Sequence, residues 1–293
     1  MPSPSNLDIY KRVRLITKET LKNALQKVLK STKSISESDL KNAWLKELRK
    51  NKSIFPNGWY VPPPNGVVIL FATDKKPQRT LFRSLRFKEY FARKNIFLDK
   101  NKGIIVAYAS PVHKQTGIIG DFGLTLYFGK SKAVMNHFKK VLKIQHQIYR
   151  YAKVGMTFTE LYRHADNLFN KSKLSNDWWV NVTDQSGRNF GHTIPATEKK
   201  WSNNELHKIH YSKSWKQVAD LESERRIFVS PMENFKIKNG VVFSIEPRLK
   251  SIGRNDLPMV WFHTVVVVGH NGRKEFLTDF SDLFNLVHMD YMK

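Results

Sequence analysis

Three polar side chains in apolar or glycine-rich surroundings are the residues of this sequence best suited to chemistry. Asp121 lies in IIGDFGLTLYFG, His192 in NFGHTIPA and Glu246 in VVFSIEPRL. A buried carboxylate costs free energy unless it is paired with a cation or bound to a metal ion. Two carboxylates and an imidazole suit a divalent transition metal such as Mn, Fe, Co or Zn. The three residues therefore predict a metal site, provided that the fold brings them together.

Each of these residues also has an ordinary structural explanation. Asp121 suits a turn or a helix cap, His192 suits a hydrogen-bonded core position, and Glu246 suits a salt bridge to Arg248 or a lysine. For any one residue alone we favour that explanation. Only the combination of all three, in this order along the chain, argues for a functional site.

The composition limits the classes of protein to consider. The chain has 293 residues, 41% of them hydrophobic, which is enough for one large domain or two small ones. Its 50 Lys and Arg residues against 25 Asp and Glu give a formal charge of +25. A basic surface attracts nucleic acid, acidic proteins and anionic lipid. Because the lysines are spread along the chain, we favour a solvated basic surface over a dedicated binding patch.

Other features of the sequence exclude particular kinds of site and protein. The chain has no cysteine, which excludes disulfides, thiolate catalysis and cysteine-type zinc sites. The first residues, MPSPSNLDIYKRVRL, lack the apolar segment of a secretory signal, and no apolar run has the length of a membrane span. We therefore expect a cytoplasmic protein.

Hydrophobic periodicity predicts several helices and strands. Residues 8–30 form an amphipathic helix, and a second helix begins after Ser36 or Ser38. A long helix covers residues 131–152, and another begins after Thr157 or Thr159. Strands are predicted over residues 67–72 and 103–112, with GDFGLTLYFG as the partner of the second strand.

The order of these elements is repeated. SISESDLKNAWLKEL followed by FPNGWYVPPPNGVVILFAT is echoed by GMTFTELYRHADNLF followed by SNDWWVNVTDQSGRNFGHTIPAT. The repeat is too long for a solenoid, so we expect two pseudo-symmetric halves of one domain. Helices packed on one side of an antiparallel sheet make this an α+β fold, with a ligand site in the cleft between the halves.

Several motifs together resemble the M24 metallopeptidase family, which includes methionine aminopeptidases, aminopeptidase P, prolidase and creatinase. They are GDFGLTLYFGKS, GMTFTELYRHADNLF, GHTIP, GVVFSIEPRL and FHTVVVVGHNGRKEFLT. The resemblance implies the pita-bread fold, in which a curved antiparallel sheet carries helices on its outer side. It also implies one domain over residues 1–293, with halves of approximately 1–130 and 131–293.

The family binds two divalent metal ions through Asp, Asp, His, Glu and Glu. The resemblance places Asp121, His192 and Glu246 at the second, third and fourth of these positions. Ser110 or Tyr108 stands where the first Asp is expected, and Phe262 stands where the last Glu is expected. The dinuclear site therefore cannot form, and at most one divalent ion remains, with the Phe262 ring against it.

The resemblance implies a divergent hydrolase of a peptide or small amide, in which His192, Glu246 and His263 are the catalytic candidates. His263 neighbours Phe262, so it points away from the site if Phe262 points toward it. The family's further histidine has no clear counterpart: His207, His210 or the segment FVSPMENF is near its place.

Two other functions remain open. One is a catalytically inactive pita-bread domain that binds an acidic protein or nucleic acid through its basic surface. The other is a metal-independent enzyme for a small substrate, with Trp178, Trp179 and Arg188 lining the cleft. For those three residues we favour core packing for the tryptophans and a surface position for the arginine.

Overall fold

The computed structural model describes residues 5–176, 187–197, 199–211 and 215–292. Its α-helices are α1 Asn6–Leu29, α2 Glu37–Arg49, α3 Lys132–Tyr151, α4 Phe158–Lys171, α5 Asn203–Tyr211, α6 Trp215–Arg225 and α7 Ser281–Leu286. Its strands are β1 Ile54–Gly58, β2 Val67–Thr73, β3 Gly103–Ala109, β4 Pro111–His113, β5 Phe122–Tyr127, β6 Leu174–Asn176, β7 Val242–Ile245, β8 Arg248–Ser251, β9 Val260–Trp261, β10 Thr264–Val268 and β11 Lys274–Leu277. Helices and antiparallel sheets follow one another along the chain, which confirms the α+β class.

Helices α2 and α4 begin in the same way. Ser36 caps α2 and accepts a hydrogen bond from the backbone of Asp39, whose carboxylate accepts one in return. Thr157 and Glu160 form the same capping box at α4. This reciprocal pairing satisfies backbone donors that the first helical turn leaves free. Ser36 and Thr157 are thus the caps among the predicted alternatives, and the two helices share a start within the predicted repeat.

The helices also pack in corresponding pairs. Helix α1 packs against α2, and α3 packs against α4. Each pair comes before strands in the chain. This order is consistent with two related halves, although the division near residue 130 stays a prediction.

The central sheet has the order β2-β3-β5, and all its pairs are antiparallel. Every residue of β3 and of β5 is buried, so both strands are covered on both faces. A second sheet has the order β11-β10-β7. A bridge between Leu124 and Phe262 joins the two sheets, and a bridge between Thr193 and Phe243 adds the segment around His192 to the edge of β7.

One hydrophobic core contains residues from both the early and the late parts of the chain. Its buried members include Leu25 and Trp44 from the first two helices, Phe138 from α3, and Phe243 and Val266 from the second sheet. The opposite face of the sheets carries smaller apolar clusters and the polar residues described next. The fold therefore presents one strand face to the helices and the other to a cleft.

Candidate active site

The residues predicted to carry chemistry lie together at strand ends. Asp121 directly precedes β5, Glu246 directly follows β7, and His192 lies in the bridging segment between them. The Nε2 atom of His192 is 3.8 Å from Asp121 Oδ2 and 3.3 Å from Glu246 Oε1. All three are buried. The sheet therefore brings into one cleft three residues that are more than fifty positions apart in sequence.

Asp121 is oriented by two donors on one of its oxygens. Trp59 Nε1 donates to Oδ1 at 2.9 Å, and the Tyr108 hydroxyl donates to the same atom at 3.0 Å. Among the described residues, Oδ2 has no hydrogen-bond partner. A buried carboxylate oxygen without a partner is costly, so Oδ2 is the atom from which a bound ligand or ion would gain most.

His192 is held in one tautomer. Its Nδ1 lies 2.9 Å from the backbone oxygen of Thr193. A carbonyl oxygen only accepts, so Nδ1 carries the proton and Nε2 presents a lone pair to the cleft. The backbone N–H of His192 donates to Ser244 Oγ at 3.0 Å, which ties the segment to β7. A metal-ligating imidazole is commonly oriented through its other nitrogen in this way.

Glu246 is held by two neutral donors. Ser244 Oγ donates to Oε1 at 2.9 Å, and Trp261 Nε1 donates to Oε2 at 3.2 Å. Oε1 is also the atom closest to His192 Nε2. Two acceptors cannot bond to each other, so this contact needs either a proton on Glu246 or a cation between the two atoms.

The expectation for Phe262 was wrong. Its ring is fully buried in the hydrophobic core, where it packs against Phe138, Phe280 and Phe284. His263 points into the cleft instead, with Nε2 at 3.8 Å from Glu246 Oε1 and 4.0 Å from Asp121 Oδ2. Neighbouring residues of a strand face opposite sides. The residue beside the two carboxylates is thus His263 and not Phe262, so an imidazole lies there in place of a phenyl ring.

Of the two candidates for the missing aspartate, Tyr108 extends into the cleft. It pairs with Gly123 across the β3–β5 ladder, and its hydroxyl reaches Asp121. Ser110 is buried behind it, where its hydroxyl accepts a hydrogen bond from the backbone of Tyr60 at 3.2 Å. A phenol thus donates to the carboxylate at a place where the family pattern has a second acid.

The histidines considered as counterparts of the family's further histidine lie outside the cleft. His207 and His210 are exposed on α5. The segment FVSPMENF reaches the cleft instead: Phe228 forms a bridge with His192, and the two rings meet edge to face at 6.0 Å. An apolar ring therefore occupies this side of the cleft.

Sequence reasoning missed a buried arginine in the cleft. The Arg226 guanidinium lies 4.2 Å from the ring centre of Trp59 and 4.8 Å from that of Phe228. Arg226 is 8% exposed. Nothing in its local sequence, ESERRIF, distinguishes it from the other surface cations of this basic chain. Only its position between the rings of Trp59 and Phe228 identifies it as a residue of the cleft.

Burial controls the charge of the cleft. Desolvation raises the pKa of Asp121 to about 6 and that of Glu246 to about 7, because removal from water disfavours the charged form. The same effect lowers the pKa of His192 to about 3 and that of His263 well below its usual value. The histidines are therefore neutral at pH 7, as an imidazole that binds a metal ion must be.

The residues present fit one divalent cation. Ligand atoms of Asp121, His192 and His263 lie within 4.8 Å of one another, and Glu246 Oε1 lies close to both histidines. The unpartnered Asp121 Oδ2, the lone pair of His192 Nε2 and Glu246 Oε1 are the donor atoms suited to a transition metal. Two carboxylates would also be neutralised by such an ion.

The cavity within the cleft has a volume of about 30 Å³. Trp59 and Tyr108 line it from the first part of the chain, and Arg226, Phe228 and Trp261 from the second. A cavity of this size holds an ion or a water molecule and is smaller than a small-ligand pocket of about 300 Å³. Trp178 and Trp179 lie outside the described residues, and Arg188 is exposed as favoured above.

The comparisons with known proteins agree with this architecture. The profile of Metallopeptidase family M24 matches residues 8–270. The chain therefore belongs to the M24 family, and its fold is the pita-bread fold. No curated protein gives a significant match. Among the described residues, no helix has both the length and the apolar character needed to cross a membrane.

Solved structures share the fold at low sequence identity. The X-Pro aminopeptidase from Thermotoga maritima is 15% identical with a TM-score of 0.59, over 92% of this chain and 59% of the other. The prolidase from Pyrococcus furiosus is 14% identical with a TM-score of 0.58, over 94% and 64%. The N-terminal domain of the FACT complex subunit SPT16 from Cicer arietinum is 13% identical with a TM-score of 0.50, over 88% and 55%. This chain thus spans less than two thirds of each of these neighbours.

Proposed function

We propose that the protein is an M24-type hydrolase of a peptide or amide C–N bond that uses one divalent cation. Asp121, His192 and Glu246 are the proposed ligands. The observation that carries the proposal is the buried, unpartnered Oδ2 of Asp121, which lies 3.8 Å from the lone pair of His192 Nε2. Mn, Fe, Co and Zn all suit this mixed oxygen and nitrogen donor set.

A bound cation would polarise the substrate carbonyl and lower the pKa of water. The side chains around it have separate tasks. Trp59 and Tyr108 hold Oδ1 of Asp121, so that Oδ2 stays directed at the cleft. Glu246 is also the proposed proton acceptor, because a carboxylate that binds the cation lies beside any water held there. The aromatic walls exclude water around the scissile bond.

A single cation separates this proposal from the dinuclear family pattern. Tyr108 and His263 occupy the cleft where a second ion would need carboxylates. Arg226 adds a buried positive charge beside Trp59. Like charges repel in a low-dielectric cleft, so Arg226 disfavours a second cation, and Tyr108 and His263 supply no carboxylate for it.

Elemental analysis of the purified protein, followed by calorimetric titration of Mn²⁺ and Zn²⁺ into chelator-treated protein, tests the proposal. We expect one cation per chain in the wild type and loss of binding in Asp121→Asn. Asp166→Asn is the matched control, since Asp166 is exposed on helix α4, where it accepts a hydrogen bond from Asn170. A folded protein that binds no cation would refute the single-metal site.

Activity requires a separate assay. X-Pro dipeptides are the first substrates to test, because an X-Pro aminopeptidase and a prolidase share the fold. N-terminal peptides and small amides extend the panel. Hydrolysis by the wild type and its loss in Asp121→Asn would support the proposal, and a metal-loaded protein inactive on all three classes would oppose it.

A second candidate is a binding domain without catalytic activity. The observation that favours it is the formal charge of +25 together with the loss of two of the four family carboxylates. Such a domain would bind an acidic protein or nucleic acid. Strong binding to an acidic partner at physiological salt, in a protein that hydrolyses nothing, would favour this candidate over the hydrolase.

A further inference from the structure

A buried arginine lies beneath the cleft and contacts His263. Arg14 is on α1 and is 1% exposed. Its guanidinium donates to the backbone oxygens of Asp121 and His263, each at 2.8 Å, and to Asp279 Oδ1 at 3.0 and 3.2 Å. One of its nitrogens also lies 3.1 Å from His263 Nδ1. These contacts fix the guanidinium in one orientation.

The contact with Nδ1 determines where the proton of His263 resides. A guanidinium has five N–H donors and no acceptor, and it stays protonated in proteins. Nδ1 must therefore accept the hydrogen bond from Arg14. A doubly protonated ring cannot accept, so His263 is neutral and carries its single proton on Nε2.

His192 has the opposite arrangement. Its Nδ1 donates to the Thr193 carbonyl, so its Nε2 is unprotonated. Both Nε2 atoms face the same two carboxylates. Although the distances alone group His263 with Asp121 and His192 as cation ligands, only His192 offers a lone pair there.

The Nε2–H of His263 has no partner among the described residues. The distances of 3.8 and 4.0 Å to Glu246 and Asp121 are too long for hydrogen bonds. A buried donor without a partner costs free energy that a bound acceptor would recover. The carbonyl oxygen of an amide substrate is an acceptor of this kind.

Building on the proposed function, we propose that Arg14 is a positioning residue that holds His263 in the Nε2–H tautomer, so that His263 serves as a hydrogen-bond donor to the substrate carbonyl and not as a metal ligand. The cation then has three protein ligands. A donor fixed beside the reacting carbonyl stabilises the negative charge that develops there.

Nitrogen-15 NMR of the histidine rings tests the tautomers directly, without any metal or substrate. Loss of signals in His263→Gln and His192→Gln assigns the two rings. We expect protonated Nε2 for His263 and protonated Nδ1 for His192. A wild-type His263 protonated at Nδ1 would overturn the proposal, and this measurement needs no arginine variant to fold.

The role of Arg14 is tested by Arg14→Met, with Lys18→Met as the matched control. Lys18 lies one turn further along α1, where it pairs with Glu19 and Asp282. We expect a mixture of His263 tautomers in Arg14→Met and an unchanged His263 spectrum in Lys18→Met, with thermal unfolding confirming that both fold. An unchanged spectrum in a folded Arg14→Met would refute the positioning role.

Cation titration separates the donor from the ligand. We expect His263→Gln to change the affinity for Mn²⁺ by less than about 10-fold and His192→Gln to lower it by more than about 100-fold. Equal losses in the two variants would make His263 a ligand and overturn the inference. If the wild type binds no cation, the proposed single-metal function fails, while the NMR result still decides the tautomer.

Discussion

Asp121 shows how individual side chains define this cleft. Its Oδ1 accepts two hydrogen bonds, whereas Oδ2 has no partner among the described residues. Hydrogen bonds to the charged form lower the pKa of a carboxyl, but here burial has the larger effect and the pKa rises to about 6. Asp121 is thus poised between protonated and charged, and its two donors affect both its charge and its direction.

Tyr108→Phe tests the contribution of one of these donors. Removal of the hydroxyl leaves Trp59 as the remaining donor to Oδ1, so we expect the pKa of Asp121 to rise further and cation affinity to fall by about 10-fold. Calorimetric titration measures the affinity. Tyr60→Phe is the control, because the Tyr60 hydroxyl lies 3.5 Å from Ser84. Equal affinity in Tyr108→Phe and the wild type would contradict an orienting role.

Glu246→Gln tests the raised pKa of Glu246 in the metal-free protein. The folded pKa is about 7 and the ordinary value is 4.5, so folding of the wild type takes up a proton between these values. The stability that Glu246 contributes is therefore complete below pH 4.5 and is lost as the pH rises to about 7. Glutamine does not titrate.

We accordingly expect Glu246→Gln to gain stability relative to the wild type across this interval, by about 3 kcal/mol in total. Thermal or urea unfolding with a chelator present, at several pH values, measures the difference. A difference that does not change between pH 4.5 and 7 would show that Glu246 is not protonated in the folded state.

At the scale of the element, the strand face decides which residue enters the cleft. Phe262 and His263 are neighbours between β9 and β10, yet one packs in the core and the other faces two carboxylates. Gly123 allows the Trp261 ring to pack closely against its strand, because a Cβ at position 123 would lie 2.7 Å from that ring. Trp261 and His263 are two residues apart, so their side chains share the cleft face.

Two substitutions distinguish these faces. We expect Phe262→Glu to destabilise the fold by more than about 3 kcal/mol, because it buries an unpaired charge and removes a core ring. His263→Glu instead adds a carboxylate to the cleft, and we expect it to fold and to bind divalent cations more tightly than the wild type. Urea unfolding and calorimetric titration measure the two effects.

The opposite result would place Phe262 at the site. A stable Phe262→Glu variant with increased cation affinity would mean that the family's last ligand position is residue 262. In that case His263 would face the core, and Phe262 would face the carboxylates.

At the scale of the whole molecule, α1 connects distant parts of the chain to the site. Arg14 joins the helix to the backbone at Asp121 and His263 and to the side chain of Asp279. The base of the cleft is thus formed by the beginning, middle and end of the chain together. Loss of the first helix would therefore remove a part of the site and not only a part of the core.

The charge of +25 gives a prediction for the whole surface. We expect weak binding to double-stranded DNA of any sequence, because dispersed cations contact phosphates without reading bases. Fluorescence anisotropy should show affinity that falls steeply between about 50 and about 200 mM salt. A tight, sequence-dependent complex at the higher salt would instead support a dedicated nucleic-acid-binding function.

Much of the fold was predictable from local patterns. The long helix at residues 131–152 is α3, Lys132–Tyr151, and the partner of the second predicted strand is β5. These predictions hold because periodicity and capping act over a few neighbouring residues. The same motifs indicated Asp121, His192 and Glu246, since a polar residue in an apolar strand stands out against its neighbours.

The sequence by itself determined the α+β class, the M24 resemblance and the three polar residues that meet in the cleft. Only the tertiary structure decided that His263 and not Phe262 faces the carboxylates, that Tyr108 and not Ser110 reaches Asp121, and that Arg14 contacts His263. The physical reason is that these features depend on how separate elements pack. Packing decides which of two neighbouring residues faces the cleft, and it brings together residues more than two hundred positions apart. Local sequence carries no signal for that packing.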